Sequence, residues 1–433
     1  MAVEKIQAKK VCAGDLAVVV GAGRSGRAAA RLLLRQQARV RLLEQNPEHI
    51  PADFLQEMRD AQVEIRTGKH SAADFADAQF VIPSPAMPVA SLTPLLPAQN
   101  TPEVLAEMEL AWRSLQGEPV LAVTGTSGKT TTVSLAAAML QAQGLTVFLG
   151  GNIGTPLSEY VLAGHKADVL VLEVSSFQLQ ACTTFHPTVG VILNISPNHL
   201  DYHKDMAEYV DAKFRIFQAQ TAHDIAVLGE DVRQWVQGHS LPAPITWLPT
   251  ASQRFTQKQL FGAHNALNME AAWLAVQPFG VTFENASRAV AEFASLPNRL
   301  ERVDEKRGVL FVNDSKATTI AALDVALRAF DRPILLLCGG KFKGGDVAAL
   351  NPLVQKQVKA VFGFGAAREH FEPVWKDLVP VTWDETLEAA VRRAALHADA
   401  GDVILLSPAT ASFDLYTSYV ARGDDFKRIV GLL

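Results

Sequence analysis

Residues 16–44 read LAVVVGAGRSGRAAARLLLRQQARVRLLE. Five aliphatic residues, 16–20, run into a glycine-rich turn at 21–26. The Ala/Leu-rich stretch 27–37 then has helical composition, and 39–44 returns to a short apolar run. Strand, turn, helix, strand is a βαβ unit, and its crossover makes the two strands parallel.

The same cycle recurs along the chain. Strands are predicted at 80–85, 120–125, 168–173, 189–195, 309–314, 333–340, 358–365 and 403–408, most of them followed by a helical or loop segment. The predicted class is therefore α/β with mainly parallel sheets. At roughly 150 residues per domain, 433 residues suggest three domains. The Pro-rich stretch 83–102, PSPAMPVASLTPLLPAQNTP, interrupts the alternation and reads as a binding loop before a boundary. The second run of cycles ends at the turn-like 295–299, SLPNR. The predicted domains are 1–106, 107–296 and 297–433.

Forty Lys+Arg against forty-five Asp+Glu give a net charge of −5. That balance excludes a basic nucleic-acid groove and a polybasic membrane anchor. Apolar runs such as 169–172 and 334–338 fall far short of the roughly 18 residues of a membrane span. The N-terminal MAVEKIQAKK carries charges where a secretory apolar region would lie, so no signal peptide is expected and the location is expected to be cytoplasmic. Cys12, Cys182 and Cys338 are odd in number and widely spaced. They fit neither a disulfide framework nor a zinc site and read as buried, reduced thiols.

The glycines at 21, 23 and 26, with Glu44 at the end of the next strand, match a dinucleotide-binding fingerprint in form. They either admit a phosphate to a helix N-terminus or let helix and strand pack closely. A stronger signal is 124–132, TGTSGKTTT, between a strand and the helical 133–143. Backbone N–H groups from Gly125, Thr126, Ser127 and Gly128 through Thr131 can cradle phosphates. Lys129 then meets the outer oxygens and the Thr130 hydroxyl can ligate Mg²⁺. Val123 stands where the usual P-loop has its first glycine, so this is a shorter Gly-x-x-Gly-Lys-Thr variant.

Glu173 closes the strand 169–173 at the carboxyl edge where open α/β sheets bind ligands, a natural Mg²⁺ position. The segment 194–203, NISPNHLDYH, brings His199 and Asp201 to the same edge. In 206–217, Lys213 falls on the apolar stripe of Met206, Val210, Phe214 and Phe217. A buried ammonium is costly, so Lys213 must be paired, neutralised, chemically modified or snorkelled. Asn265 and Asn268 open the helical 262–276, and Asn265 reads as an N-cap. Asp314, Lys316 and Thr318 follow one strand, Lys341 and Lys343 another, and Ser407, Thr410 and Ser412 a third. That edge offers ammonium and hydroxyl donors to an anion, unless it is ordinary loop polarity.

Taken together, TGTSGKTT, GGNIGTP at 150–156, EVSSFQL at 173–179, NISPNHLDYH, GAHNALN at 262–268, PNR at 297–299 and NDSKAT at 313–318 resemble the Mur ligase family of peptidoglycan synthesis. The match runs over nearly the whole chain, and NDSKAT is similar to the branch that adds D-glutamate to UDP-N-acetylmuramoyl-L-alanine. The resemblance implies a Rossmann-like N-terminal domain holding the UDP end, a central ATPase domain and a Rossmann-like C-terminal domain for the amino acid. It implies two Mg²⁺ sites, one on Thr130 and Glu173, the other on His199 and Lys213, with Lys213 carbamylated. It implies nucleotide contacts from Asn268, Arg299 and Asp314 and a sugar-side contact from Asn152. Ser25, Gln45 and Asn46 fall at uridine-side positions, and Lys316, Thr318, Lys343, Ser412 and Tyr419 at the D-glutamate pocket. The GAGRSG loop then serves a uridine diphosphate rather than NAD, and a monomer is expected. Asn198 stands where the family pattern has Asp, Thr319 where it has Asn and Ala86 where it has Gly.

Three other readings compete. An NAD(P)-dependent oxidoreductase would use the first glycine loop but has no need of the second. A regulatory nucleotide-binding protein would keep the phosphate cradle without needing Glu173, His199 and Lys213 together. A related ligase for another amino acid, such as L-glutamate, is the nearest rival.

Overall fold

The computed structural model describes residues 9–200, 202–255, 257 and 259–433, which form three sheets. The chain divides into two compact units. The first takes the chain up to Phe255 together with Leu267–Val290, and the second takes the stretch ending at Ala266 together with Ala291–Leu433.

The first unit holds two parallel sheets. One runs Glu64–Thr67, Arg39–Glu44, Leu16–Val20, Phe80–Pro83, Glu103–Val104; the other runs Ile245–Trp247, Ile225–Leu228, Val189–Ile192, Val120–Thr124, Val169–Glu173, Val147–Gly151. The central strands are wholly buried and, apart from the terminal Thr124 and Glu173, apolar without alternation, as expected of strands covered by helices on both faces. In each sheet the chain order reverses beside the first strand, between Leu16–Val20 and Phe80–Pro83 and between Val120–Thr124 and Val189–Ile192. Loops leaving those paired strand ends diverge and leave a crevice.

The second unit carries a sheet in the order Glu301–Lys306, Val309–Asn313, Val403–Leu406, Ile334–Gly339, Val358–Phe364, Val381–Asp384. Its first pair is antiparallel and the rest are parallel. Arg307 and Gly308 both have positive φ, 52° and 77°, the backbone that a two-residue hairpin turn requires.

The α/β class expected from the cycles is the one observed. Three local expectations are corrected. The first helix begins at Arg24, inside the glycine loop, and ends at Arg35. Asn265 lies inside the helix Ala263–Val276 instead of capping it, and its Nδ2 donates to Phe261 O at 2.7 Å. Cys12 is exposed, while Cys182 and Cys338 are buried; a residue just ahead of the first strand has no second layer to cover it. Among the described residues, no helix is long and apolar enough to cross a membrane.

Candidate active site

The phosphate cradle is assembled from two adjacent strand ends. Val120–Thr124 leads to Gly125, and Gly128, at φ 84°, stands before the helix Lys129–Ala142. A Cβ at Gly128 would run into Asn268 Oδ1, so the glycine fits both a left-handed backbone and a close neighbour. From the next strand end, Asn194 grips the loop. Its Oδ1 accepts from Ser127 N at 2.8 Å, its Nδ2 donates to Ser127 O at 3.1 Å and its carbonyl accepts from Thr126 N at 3.0 Å. Lys129 Nζ folds back to Gly125 O at 2.8 Å and Thr126 O at 3.0 Å. The result is a preset loop with a cation at its mouth and the helix N-terminus behind it, an arrangement suited to a polyphosphate.

Thr130, in the first turn of that helix, donates from Oγ1 to Glu173 Oε2 at 2.7 Å. Asn152 Nδ2 donates to Glu173 Oε1 at 2.7 Å. Glu173 is only 2% exposed, and these neutral donors hold its carboxylate. Among the described residues no three His, Cys, Asp or Glu side chains gather into a metal cage. A hydroxyl beside a carboxylate is the donor set that suits Mg²⁺ shared with phosphate oxygens and waters.

Lys213, on the helix Met206–Phe214, is 2% exposed. Its Nζ lies 3.0 Å from Gly125 O, 3.5 Å from Thr124 Oγ1 and 4.5 Å from the centre of the Tyr209 ring. Burial, reinforced by the Lys129 charge, pushes its proton affinity well below the usual lysine range, so the neutral amine is favoured. His199 is exposed, with a left-handed φ of 55°, and its ring meets the edge of Phe177 at 4.8 Å. His203, buried and bonded to Ser176 Oγ at 2.9 Å, is held below the ordinary histidine range by burial, with Lys213 and His199 both adding to the effect. Lys213 and His199 thus converge on one neighbourhood. Asp201 lies outside the described residues.

At the first crevice, Gly21 and Ser84 face each other, the built Cβ of one 3.1 Å from the Cβ of the other. Ser25 is half-buried in the first helical turn, Gln45 is exposed and Asn46 Oδ1 accepts from Glu48 N at 3.1 Å. Glu44 is not held out for a ribose: Oε2 accepts from Ala22 N at 2.8 Å and Oε1 from Asn46 N at 3.2 Å. The carboxylate therefore closes its own glycine loop.

In the second unit, Asp314 Oδ2 accepts from Ser407 Oγ at 3.0 Å and Oδ1 from Leu300 N at 3.2 Å. Burial pushes this carboxyl up to about 7 against the opposing pull of Arg299. Lys316 Nζ lies 3.3 Å from Tyr419 Oη and 4.9 Å from its ring centre. Lys341 and Ala411 exchange backbone hydrogen bonds of 2.8 and 3.0 Å, which sets the stretch carrying exposed Lys343 beside the stretch carrying buried Ser412. Thr318 is half-buried just before Thr319, whose side chain caps the helix Ile320–Leu327. Capping accounts physically for a hydroxyl at 319.

Two family models match the chain, one for the Mur ligase middle domain at residues 123–245 and one for the Mur ligase glutamate ligase domain at 298–410. Proteins of Nitratidesulfovibrio vulgaris (strain DP4) and Desulfovibrio desulfuricans, both named UDP-N-acetylmuramoylalanine–D-glutamate ligase, are each 60% identical to it, over 431 and 435 residues. The first alignment covers 99% of both chains and the second 100% of both. The chain belongs to the Mur ligase family. Solved Mur ligases share the architecture at low identity. The MurF ligase of Thermotoga maritima, crystallised with ADP, matches at TM-score 0.59 and 19% identity over 98% of this chain and 96% of its own. The MurC ligase of the same organism matches at 0.58 and 16% over 96% and 99%. A three-domain Mur ligase architecture, Rossmann-like at both ends around a central ATPase domain, fits the three sheets.

Asn194, Phe177 and Tyr202 escaped the sequence reading as individual site residues. Asn194 carries much the same signal as Glu173, a polar residue at or just past the end of a buried strand at the ligand edge. Phe177 and Tyr202 carry none, because ring stacking across 25 residues leaves no trace in local spacing.

Proposed function

We propose that this Mur ligase joins D-glutamate to UDP-N-acetylmuramoyl-L-alanine at the expense of ATP, as a cytoplasmic, monomeric enzyme of peptidoglycan precursor synthesis. Whole-length identity of 60% to relatives bearing that name supports the reaction. The observation that carries the chemistry is the Lys129, Thr130 and Glu173 constellation around the loop 125–128. Domain boundaries at 106/107 and 296/297 are part of the same reading.

The substrate carboxylate and the ATP γ-phosphate repel, so their approach must be screened. Lys129 lies at the loop mouth to stabilise charge developing on the transferring phosphoryl group, and the loop N–H groups hold the phosphates that remain. Attack by a carboxylate oxygen breaks the γ-phosphate bond to ADP and forms an acyl phosphate. The D-glutamate amine then adds to the acyl carbon, loses a proton, and the tetrahedral adduct expels inorganic phosphate as the amide forms. Mg²⁺, held by Thr130 and Glu173 and at a second position by His199 and modified Lys213, would supply charge neutralisation. Asn268, Arg299 and Asp314 contact the nucleotide. Ser25, Gln45, Asn46 and Asn152 line the UDP-sugar side, and Lys316, Thr318, Lys343, Ser412 and Tyr419 the amino acid.

Lys213 carries a carbamate in this reading. A buried amine that is neutral can add to CO₂ with loss of a proton, and the product turns the uncharged side chain into a carboxylate-like metal ligand. Phosphate release with all substrates, and with D-glutamate omitted or exchanged for L-glutamate, tests the function. Release that needs D-glutamate supports it; equal rates with L-glutamate, or none with the full set, contradict it.

A further inference from the structure

The loop that carries His199 is tied to the first-domain loop 84–88 through Tyr202. Tyr202 Oη donates to Met87 O at 2.9 Å. The Tyr202 ring stacks on Phe177 with centroids 3.8 Å apart and planes at 27°, and the His199 ring meets the same Phe177 ring edge-on, with centroids 4.8 Å apart. Phe177 follows Glu173 by four residues and sits in the short helix Ser176–Leu179, whose start is fixed by a reciprocal Ser175–Gln178 capping pair. His199, on the loop beyond the strand Val189–Ile192, has a left-handed φ of 55°, and its carbonyl accepts from Tyr202 N at 3.1 Å and His203 N at 2.9 Å. The turn is thereby closed on itself and aimed by the aromatic stack.

Phe177 also borders the loop 84–88 directly, across a cavity of only ≈ 10 Å³ lined in part by Ser84, Met87 and Phe177, about the room for one water. Ser84 in turn faces Gly21. The chain of contacts runs from the first glycine loop, through Ser84 and Met87, to Tyr202, Phe177 and His199.

We infer that Tyr202 is a positioning residue: it fixes the loop that receives the UDP-sugar substrate relative to the loop that presents His199. This rests on the ligase reading given under Proposed function, with the Pro-rich stretch 83–102 serving the substrate as the binding loop its sequence predicts. Its two halves are separable. The hydroxyl holds the substrate loop; the ring holds the histidine loop through Phe177.

Tyr202→Phe keeps the ring and deletes the bond. Loss of one part-buried hydrogen bond corresponds to about a five- to tenfold weakening. The expected result is that calorimetric binding of UDP-N-acetylmuramoyl-L-alanine without ATP weakens by that factor, with KM for the same substrate rising in parallel. KM for ATP and for D-glutamate should stay within about twofold, and Tm should fall by no more than about 2–4 °C, the size of one lost hydrogen bond. Tyr202→Ala should in addition raise the Mg²⁺ concentration for half-maximal rate, which Tyr202→Phe should not. Unaltered UDP-substrate binding in Tyr202→Phe overturns the inference. So does an equal rise in all three KM values, or an unshifted Mg²⁺ dependence in a folded Tyr202→Ala. A wild-type enzyme that releases no phosphate would instead refute the ligase reading itself.

Discussion

Thr130 Oγ1 and Glu173 Oε2 lie 2.7 Å apart, joining the first turn of the helix Lys129–Ala142 to the end of the strand Val169–Glu173. The bond holds a hydroxyl and a carboxylate side by side, the pair that the proposed function assigns to Mg²⁺. Thr130→Val, which keeps the β-branched shape, and Glu173→Gln, which keeps the Asn152 contact surface, should each raise the Mg²⁺ concentration for half-maximal rate by about one order of magnitude or more. Titrating Mg²⁺ at saturating ATP checks this, and unchanged half-saturation would remove the pair from the metal site.

Gly128 has two independent reasons to resist change: φ of 84° and the proximity of Asn268 Oδ1. Gly128→Ala should lose about 1–3 kcal/mol of stability through backbone strain and raise KM for ATP. Denaturant melts read the first and steady-state kinetics the second. Gly23→Ala, where a Cβ meets nothing within 4 Å, is the contrast and should be near neutral in stability.

Lys213 gives a prediction without a counterpart in an ordinary lysine. Because burial favours the uncharged amine, removal of CO₂ by degassing at neutral pH should lower the rate, and added bicarbonate should restore it. Lys213→Arg, permanently charged, should lose about two to three orders of magnitude in kcat and show no response to bicarbonate. A CO₂-independent wild type would exclude a labile carbamate.

Asp314 predicts the sign of a pH effect. Its folded-state value, about 7, exceeds the unfolded value of about 3.9, so the folded chain holds a proton that the unfolded chain releases. The associated stability is fully present below the unfolded value and is lost as pH rises towards 7. The interval corresponds to a change on the order of 4 kcal/mol. Asp314→Asn, uncharged throughout, should flatten the decline in urea midpoint between pH 5 and pH 8. A parallel decline in wild type and variant would contradict the assignment.

How much of this was legible in the sequence follows from what each residue's signal depends on. Central strands such as 120–124 and 169–173 announce themselves because both faces are buried and every position is apolar until the last, Thr124 and Glu173. Edge strands do not: Glu301–Lys306, ERVDEK, has no buried position, mixes half-buried with exposed residues and reads as surface. The phosphate loop was legible because glycine, lysine and hydroxyl spacing is itself the chemistry. The oddity of Lys213 showed in helical spacing, whereas its neighbours Gly125 O and Thr124 Oγ1, about 88 residues away, could not. Asn265 was misread because the polar-then-apolar pattern marks a helix start only to within a turn. Lys316 with Tyr419, and Tyr202 with Met87, are contacts of topology, set by which strand ends and loops the fold brings together.

The central claim is that this cradle turns a carboxylate into an acyl phosphate before the amide forms. The direct test is to run the reaction with UDP-N-acetylmuramoyl-L-alanine labelled with ¹⁸O in its alanyl carboxylate and to analyse the released phosphate by mass. One labelled oxygen per phosphate is the predicted result, because the attacking oxygen departs with the phosphoryl group. Unlabelled phosphate accompanied by amide product would show that the acid is not activated by phosphorylation.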